Sequence, residues 1–140
     1  MKLVKSNKNR KIGVILTILS LCAMVGIFEC CKINRKVNIF IVTEIIAFII
    51  FLISFGLTYL KTGLWQFTHS SLKKLDEREI ALTSKSLRIA YAIFTVVVLF
   101  LLLSLAIFNA KIDVVLVAAL IILAHILPAS VIAWTENYER

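Results

Sequence analysis

Two side chains able to carry a proton sit inside otherwise apolar stretches. Glu44 lies in the run from Val37 to Leu60, and His125 in the run from Ile112 to Trp134. An ionisable group in a membrane-length apolar segment points to a proton relay, an ion pathway or a ligand contact, because lipid tolerates it only where something compensates it. Glu44 comes seven residues after Val37, about 10 Å from the end of its segment at 1.5 Å per residue. Two readings stand for it: a carboxylate that extends its stem to interfacial water, or one protonated or hydrogen-bonded within the protein. His125 is deeper, near the centre of its run and three residues before Pro128. Pro128 has no N–H to offer the Ala124 carbonyl, which predicts a kink. Ser20, Ser54 and Thr95 fall at comparable depth and are its candidate hydrogen-bond partners. The choice is again between a neutral packing histidine and a proton or ligand group. Glu44 and His125 differ in depth by about one and a half turns, so a bridging water would link them rather than a direct pair.

Other covalent chemistry finds no support. There is no H-E-x-x-H, no nucleophile motif, no phosphate-binding glycine loop and no paired intramembrane aspartate, which argues against an enzyme. The three cysteines, Cys22, Cys30 and Cys31, form no C-x-x-C, and no Cys/His spacing resembles a zinc site, so neither metal nor cofactor is expected. Cys30 and Cys31, at the end of the first apolar run, are either an interfacial thiol pair or partners in an intermolecular disulfide. A bond between the two neighbours themselves would be strained.

The elements that must position these groups follow from composition. Hydrophobic residues make up 61% of the 140, against about 45–50% in ordinary soluble domains. Four apolar runs stand out, at 12–28, 37–60, 89–108 and 112–134. Runs two to four reach the ~20 residues that cross a bilayer, and backbone in lipid must satisfy itself, so each is expected as a helix. The first run is shorter and its flank "MKLVKSNKNRK" has the look of a signal-peptide start. "LCAMVGIFECC" offers no small-x-small cleavage site, so the run is read as a retained helix. The expectation is an all-α membrane protein: a single domain over 1–140, folded as a four-transmembrane-helix bundle.

Charge sets its orientation. Basic residues number five before the first run, three in the first loop, six in the loop 61–88, one in the third loop and one in the tail. With four spans, twelve fall on one side and four on the other. The side with twelve is predicted to be cytoplasmic, placing both termini inside. Trp65, Trp134, Tyr59 and Tyr138 fall near that interface, where amphipathic rings sit. The net charge of +8 is explained by this bias, and nucleic acid is not expected as a partner.

Small and polar residues should mark helix contacts in lipid. The stripes are Gly13, Thr17 and Ser20; Glu44, Ala47, Phe51, Ser54 and Thr58; Ala92, Thr95, Leu99, Leu102, Ala106 and Asn109; and Ala118, Ile122, His125 and Ala129. They read either as packing surfaces or as the walls of a transport pathway.

The loop holds "KKLDEREIALTSKSLR". Asp76 as N-cap with Glu79 at N3 makes a carboxylate capping box, and Glu77 adds favourable charge to the first turn. No Pro or Gly follows before Asn109, so one helix is predicted from about Asp76 to Asn109, the third span extended into the cytoplasm. Leu72, Leu75, Glu79, Leu82, Ser86 and Ile89 keep a heptad-like spacing, and Arg78, Ala81, Lys85 and Arg88 form a second stripe. Asp76, Glu77, Arg78 and Glu79 with Leu75 and Leu82 are therefore either a docking surface, for a cytoplasmic protein or a second copy, or a solvated loop that fixes topology.

The succession of a tryptophan-bearing end of run two, the junction "LDEREIALTSKSLRIAYAIF" and two further spans resembles small, uncharacterised prokaryotic four-span membrane proteins with a cytoplasmic "DER" loop. The resemblance covers the central third of the chain. It implies a multi-pass protein of the prokaryotic cell membrane, in a group where some members accompany a small DNA-binding regulator, and it carries no catalytic residue. The expected function is non-enzymatic: binding a cytoplasmic partner in a regulatory, immunity or accessory role. The alternative is a small homo-oligomeric transporter or channel that uses Glu44 and His125.

Overall fold

The computed structural model describes residues 7–34, 37–69 and 76–135. The elements in these segments are all helical: α1 (Asn7–Asn34), α2 (Val37–Phe55), a π-helical turn (Gly56–Leu60), α3 (Leu64–His69), α4 (Glu77–Ile107) and α5 (Val114–Thr135). Among the described residues, four stretches are long and apolar enough to cross a membrane: Asn9–Lys32, Ile39–Leu60, Glu77–Ile107 and Val114–Thr135. The first is longer than its apolar run, since no proline interrupts the flanks and the helix continues through them. The chain divides into two compact units, Met1–Gly63 and Leu64–Arg140.

In the first unit α1 lies against α2. Its seam buries Thr17, Ser20 and Leu21 from α1, and Ala47, Phe51, Ser54 and Thr58 from the facing segment. These are largely the stripes that spacing marks, with Gly13 and Glu44 half-buried at their margins. Lipid gives helices no hydrophobic reason to associate, so close approach and interhelical hydrogen bonds must hold them together. Both are present. Thr17 Oγ1 and Ser54 Oγ lie 2.7 Å apart, and each hydroxyl is also within reach of the Gly13 carbonyl, at 2.9 and 3.1 Å. Two hydroxyl hydrogens thus serve three contacts, and such bonds contribute about 0.6–1.7 kcal/mol each in membranes. A Cβ at Gly13 would collide with Thr58 Oγ1 and stand 3.2 Å from Thr58 Cβ and Cγ2.

The π turn explains why Thr58 reaches that far. The Lys61 N–H donates to the Gly56 carbonyl at 3.0 Å, five residues back. The wider turn brings Thr58 and Tyr59, neighbours in sequence, into the interior together. The Thr62 hydroxyl donates to the Thr58 carbonyl, and the rings of Phe51, Phe55 and Tyr59 follow one another at 6.0 and 5.2 Å. Gly63, at φ 73°, ends the segment in a left-handed conformation open to glycine.

In the second unit α5 packs on α4 and α3 packs on both. Ala90 of α4 and Leu127 and Val131 of α5 form the core, with Ile89, Phe94 and Leu123 against it. Helix α4 runs without interruption, and its ends are set locally. At the start, the Asp76 N–H donates to the Glu79 carboxylate at 3.2 Å and the Asp76 carboxylate faces the Glu79 N–H, the reciprocal box that the sequence predicts. At the end, the Ala110 N–H reaches the Leu105 carbonyl at 3.0 Å and the Asn109 N–H reaches Ala106 at 3.3 Å. Asn109 sits at φ 51°. This is a Schellman motif with asparagine, which tolerates the left-handed region, at C′. Helix α5 continues through Pro128.

Two expected packing stripes are corrected here. On α4 the buried positions are Thr83, Ser86 and Ala90, whereas Ala92, Leu99, Leu102, Ala106 and Asn109 are exposed and Thr95 is half-buried. The face is chosen by the apolar cluster of α5, not by the smallest residues of α4. On α5 the buried stretch is Ile126–Ala133, and Ala118, Ile122 and His125 are exposed. Only Ala129 of that stripe lies inside.

Candidate functional site

Three groupings of polar side chains emerge, one in the first unit and two in the second. The first is a groove of about 270 Å³ between the start of α1 and the end of the α2–π segment. Arg10 lines it and is only 7% exposed. Asn9, Gly13, Ser54, Thr58 and Thr62 supply its remaining polar wall, and Ile12, Leu16, Ile50, Ile53 and Leu57 its apolar one. π-helical turns recur at functional sites because they displace backbone groups from the regular ladder, and here the turn carries Thr58 into the groove. Sequence reasoning counts Arg10 only as a topology charge. The signal that marks it is its register: Arg10, Gly13, Thr17 and Ser20 recur at spacings of three, four and three along one face.

The second is the start of α4. Asp76, Glu77 and Arg78 are exposed, and Glu79 and Leu82 are half-buried. Leu82 thus turns toward the side that buries Thr83 and Ser86. Leu75 lies outside the described residues, as do Leu72 and Tyr138. Arg78, Ala81, Lys85 and Arg88 are all exposed. At 3.6 residues per turn they occupy the side of the helix nearly opposite Thr83, Ser86 and Ala90.

The third is a pair of imidazoles. His69, at the end of α3, lies with its ring 6.4 Å from that of His125, with 11° between the planes. Trp65 stacks on His69 at 3.9 Å. His125 Nδ1 is 2.8 Å from the Ile121 carbonyl, and His69 Nδ1 is 3.1 Å from the Trp65 carbonyl and 2.8 Å from Thr68 Oγ1. A carbonyl only accepts, so His125 makes its bond to Ile121 through an Nδ1 hydrogen, whereas His69 Nδ1 either donates to the Trp65 carbonyl or accepts from the Thr68 hydroxyl. His125 therefore bonds within its own helix, and its neighbour is a residue the apolar pattern does not single out. Thr95 likewise bonds to its own helix, at the Tyr91 carbonyl, 2.8 Å away. Helix α3 has six residues, too short to leave a periodic signal.

Glu44 belongs to the first unit. Its Oε2 is buried with no hydrogen-bond partner among the described residues. No group of three or more metal-binding side chains is found among those residues, and Cys22, Cys30 and Cys31 are free thiols. Compared with family models, curated proteins and solved structures, the chain matches none.

Proposed function

We propose that this chain is a non-enzymatic, four-span protein of a prokaryotic cytoplasmic membrane, a helical bundle with both termini inside, that binds an acidic cytoplasmic protein through the outward face of the start of α4. One observation carries the reading. Arg78, Lys85 and Arg88 flank the small Ala81 on an exposed face, on the side of the helix away from its buried residues. The Asp76–Glu79 box fixes the first turn of that helix, so the three cations are held in register rather than strung along a loop. Lys85 and Arg88 alone would serve to hold the loop inside, which leaves the capped extension to be explained by recognition. Charges of this kind steer and orient an acidic partner more than they add affinity.

A photo-crosslinking residue at Ala81, in the full-length protein in its own cells, is expected to yield a discrete protein adduct. The same residue at Val96, which is 67% exposed on the apolar part of α4, should yield none. Reversing Arg78, Lys85 and Arg88 to glutamate should abolish the adduct. An adduct that survives the reversal, or none from position 81, removes the reading.

The imidazole pair favours a second reading, a small oligomeric transporter or channel. Two imidazoles with their rings 6.4 Å apart can pass a proton along, and Glu44 supplies a second ionisable group within a span. For this reading, His125→Ala and Glu44→Gln should each lower proton or cation flux in liposomes by tenfold or more, on the order of one lost relay group. Absence of flux with the unaltered protein defeats it.

A further inference from the structure

We propose that the groove of the first unit is a binding site for one anionic phospholipid, with its phosphate on Arg10 and one acyl chain along Leu16, Ile53 and Ile50. The inference rests on the membrane-spanning reading above and is independent of the docking face on α4.

Charge is the first support. Arg10 is 7% exposed and lines the groove. A planar guanidinium presents its donors in a fork that matches phosphate oxygens, and it carries a lighter hydration shell than a lysine ammonium, so it suits a dry phosphate site. Asn9 lines the groove as well, and its side-chain amide can donate to the same group.

Order is the second. Along α1 the lining passes from Asn9 and Arg10 to Leu16, about 10 Å of helix. The facing segment runs the opposite way and passes from Thr62 and Thr58, through Leu57 and Ser54, to Ile53 and Ile50, so that its last polar lining residue is Ser54. Both walls change from polar to apolar in one direction. That is the order of a phospholipid, headgroup first and chain after. Arg10 stands two residues outside the apolar run that begins at Ile12, which is headgroup depth for a spanning helix.

Access is the third. Ile12, Leu16, Ile53 and Leu57 border the groove and are all exposed. In a bilayer such side chains face hydrocarbon, so the groove opens sideways to lipid. Its volume of about 270 Å³ is at the small end for a ligand pocket, enough for a phosphate and part of one chain and not for a whole lipid. Basic pockets between membrane helices take anionic headgroups for the same reasons.

The test uses the full chain, purified in detergent and challenged with phosphatidylglycerol, phosphatidylcholine or inorganic phosphate, with retained lipid read by native mass spectrometry and thermal unfolding read in parallel. Phosphatidylglycerol is expected to be retained at least about fivefold over phosphatidylcholine, the worth of one basic residue against an anionic lipid, and to raise the unfolding temperature. Arg10→Gln should remove the preference. Ile53→Trp, which fills the apolar half and leaves Arg10 in place, should lower retention of phosphatidylglycerol, and it decides the matter if Arg10→Gln fails to fold. Equal retention of the two lipids, unchanged preference in Arg10→Gln, unchanged retention in Ile53→Trp, or equal stabilisation by inorganic phosphate would each overturn the lipid site. Release of the chain from membranes by alkaline carbonate without detergent would overturn the spanning reading as well, and so separates the two failures.

Discussion

Gly13→Ala is expected to destabilise the first unit by about 1–3 kcal/mol, and Thr58→Ala in the same chain to return much of the loss. The sign follows from three competing effects. Alanine favours a helix interior over glycine by about 1 kcal/mol, which taken alone would stabilise α1. Against this, the new methyl meets Thr58 Oγ1, with Thr58 Cβ and Cγ2 behind it at 3.2 Å. Threonine is branched at Cβ, so rotating the hydroxyl away brings the methyl into the same space. Overpacking of this kind costs about 1–3 kcal/mol. The backbone shift that relieves it also draws the Gly13 carbonyl away from Ser54 of the facing segment, at about 0.6–1.7 kcal/mol for an interhelical hydrogen bond. Thr58→Ala removes Oγ1 and Cγ2 but keeps Cβ, so the rescue is partial. Unfolding of the four variants in micelles closes a double-mutant cycle with a coupling of about 1 kcal/mol or more. Gly13→Ala as stable as the original chain, or strictly additive losses, would show that the close approach of α1 to the π turn is not what holds this unit together.

What could be read from the sequence divides along a physical line between local and non-local causes. The start of α4 was legible because it is decided within a few residues, by a carboxylate pair three apart at Asp76 and Glu79, whereas Asn109, read as part of a packing stripe, instead takes φ 51° just past the helix end. The α1–α2 seam was legible because hydroxyls and glycine in an apolar helix have few uses in lipid other than close contact. The packing face of α4 was not. Its inward side meets the aliphatic Leu127 and Val131, and its exposed sides carry aliphatic residues too, so composition around the helix says little about direction. Small residues at Ala92 and Ala106 permit contact without requiring it. The pairing of His69 with His125 is further from reach. A six-residue helix is below the length at which a helix holds itself, and only its contacts with α4 and α5 set where His69 lies. The register of Arg10 with Gly13 and Thr17 was available, but a count of basic residues for topology discards register.

The charges proposed to fix the threading and those proposed to meet a partner overlap, which makes orientation the decisive measurement. In intact cells a membrane-impermeant maleimide is expected to label Cys30 and to leave Ser84→Cys, in a chain otherwise lacking cysteine, unlabelled until the membrane is opened. Cys30 and Ser84 are both exposed on their helices, so burial within the protein cannot account for a difference. From Arg10 to Cys30 is twenty residues, about 30 Å of helix, the thickness of a bilayer's hydrocarbon core. If α1 spans as proposed, its two ends lie on opposite faces, and the contrast should be all or none. Twelve basic residues against four are the ground for expecting the α4 start inside. Replacing Arg78, Lys85 and Arg88 still leaves nine against four, and acidic residues count little in the rule. The glutamate variant should therefore keep the same labelling pattern, so that loss of its crosslink at Ala81 reports on recognition and not on inverted insertion. Labelling of Ser84→Cys from outside would place the basic face in the exterior, and no cytoplasmic partner could then reach it.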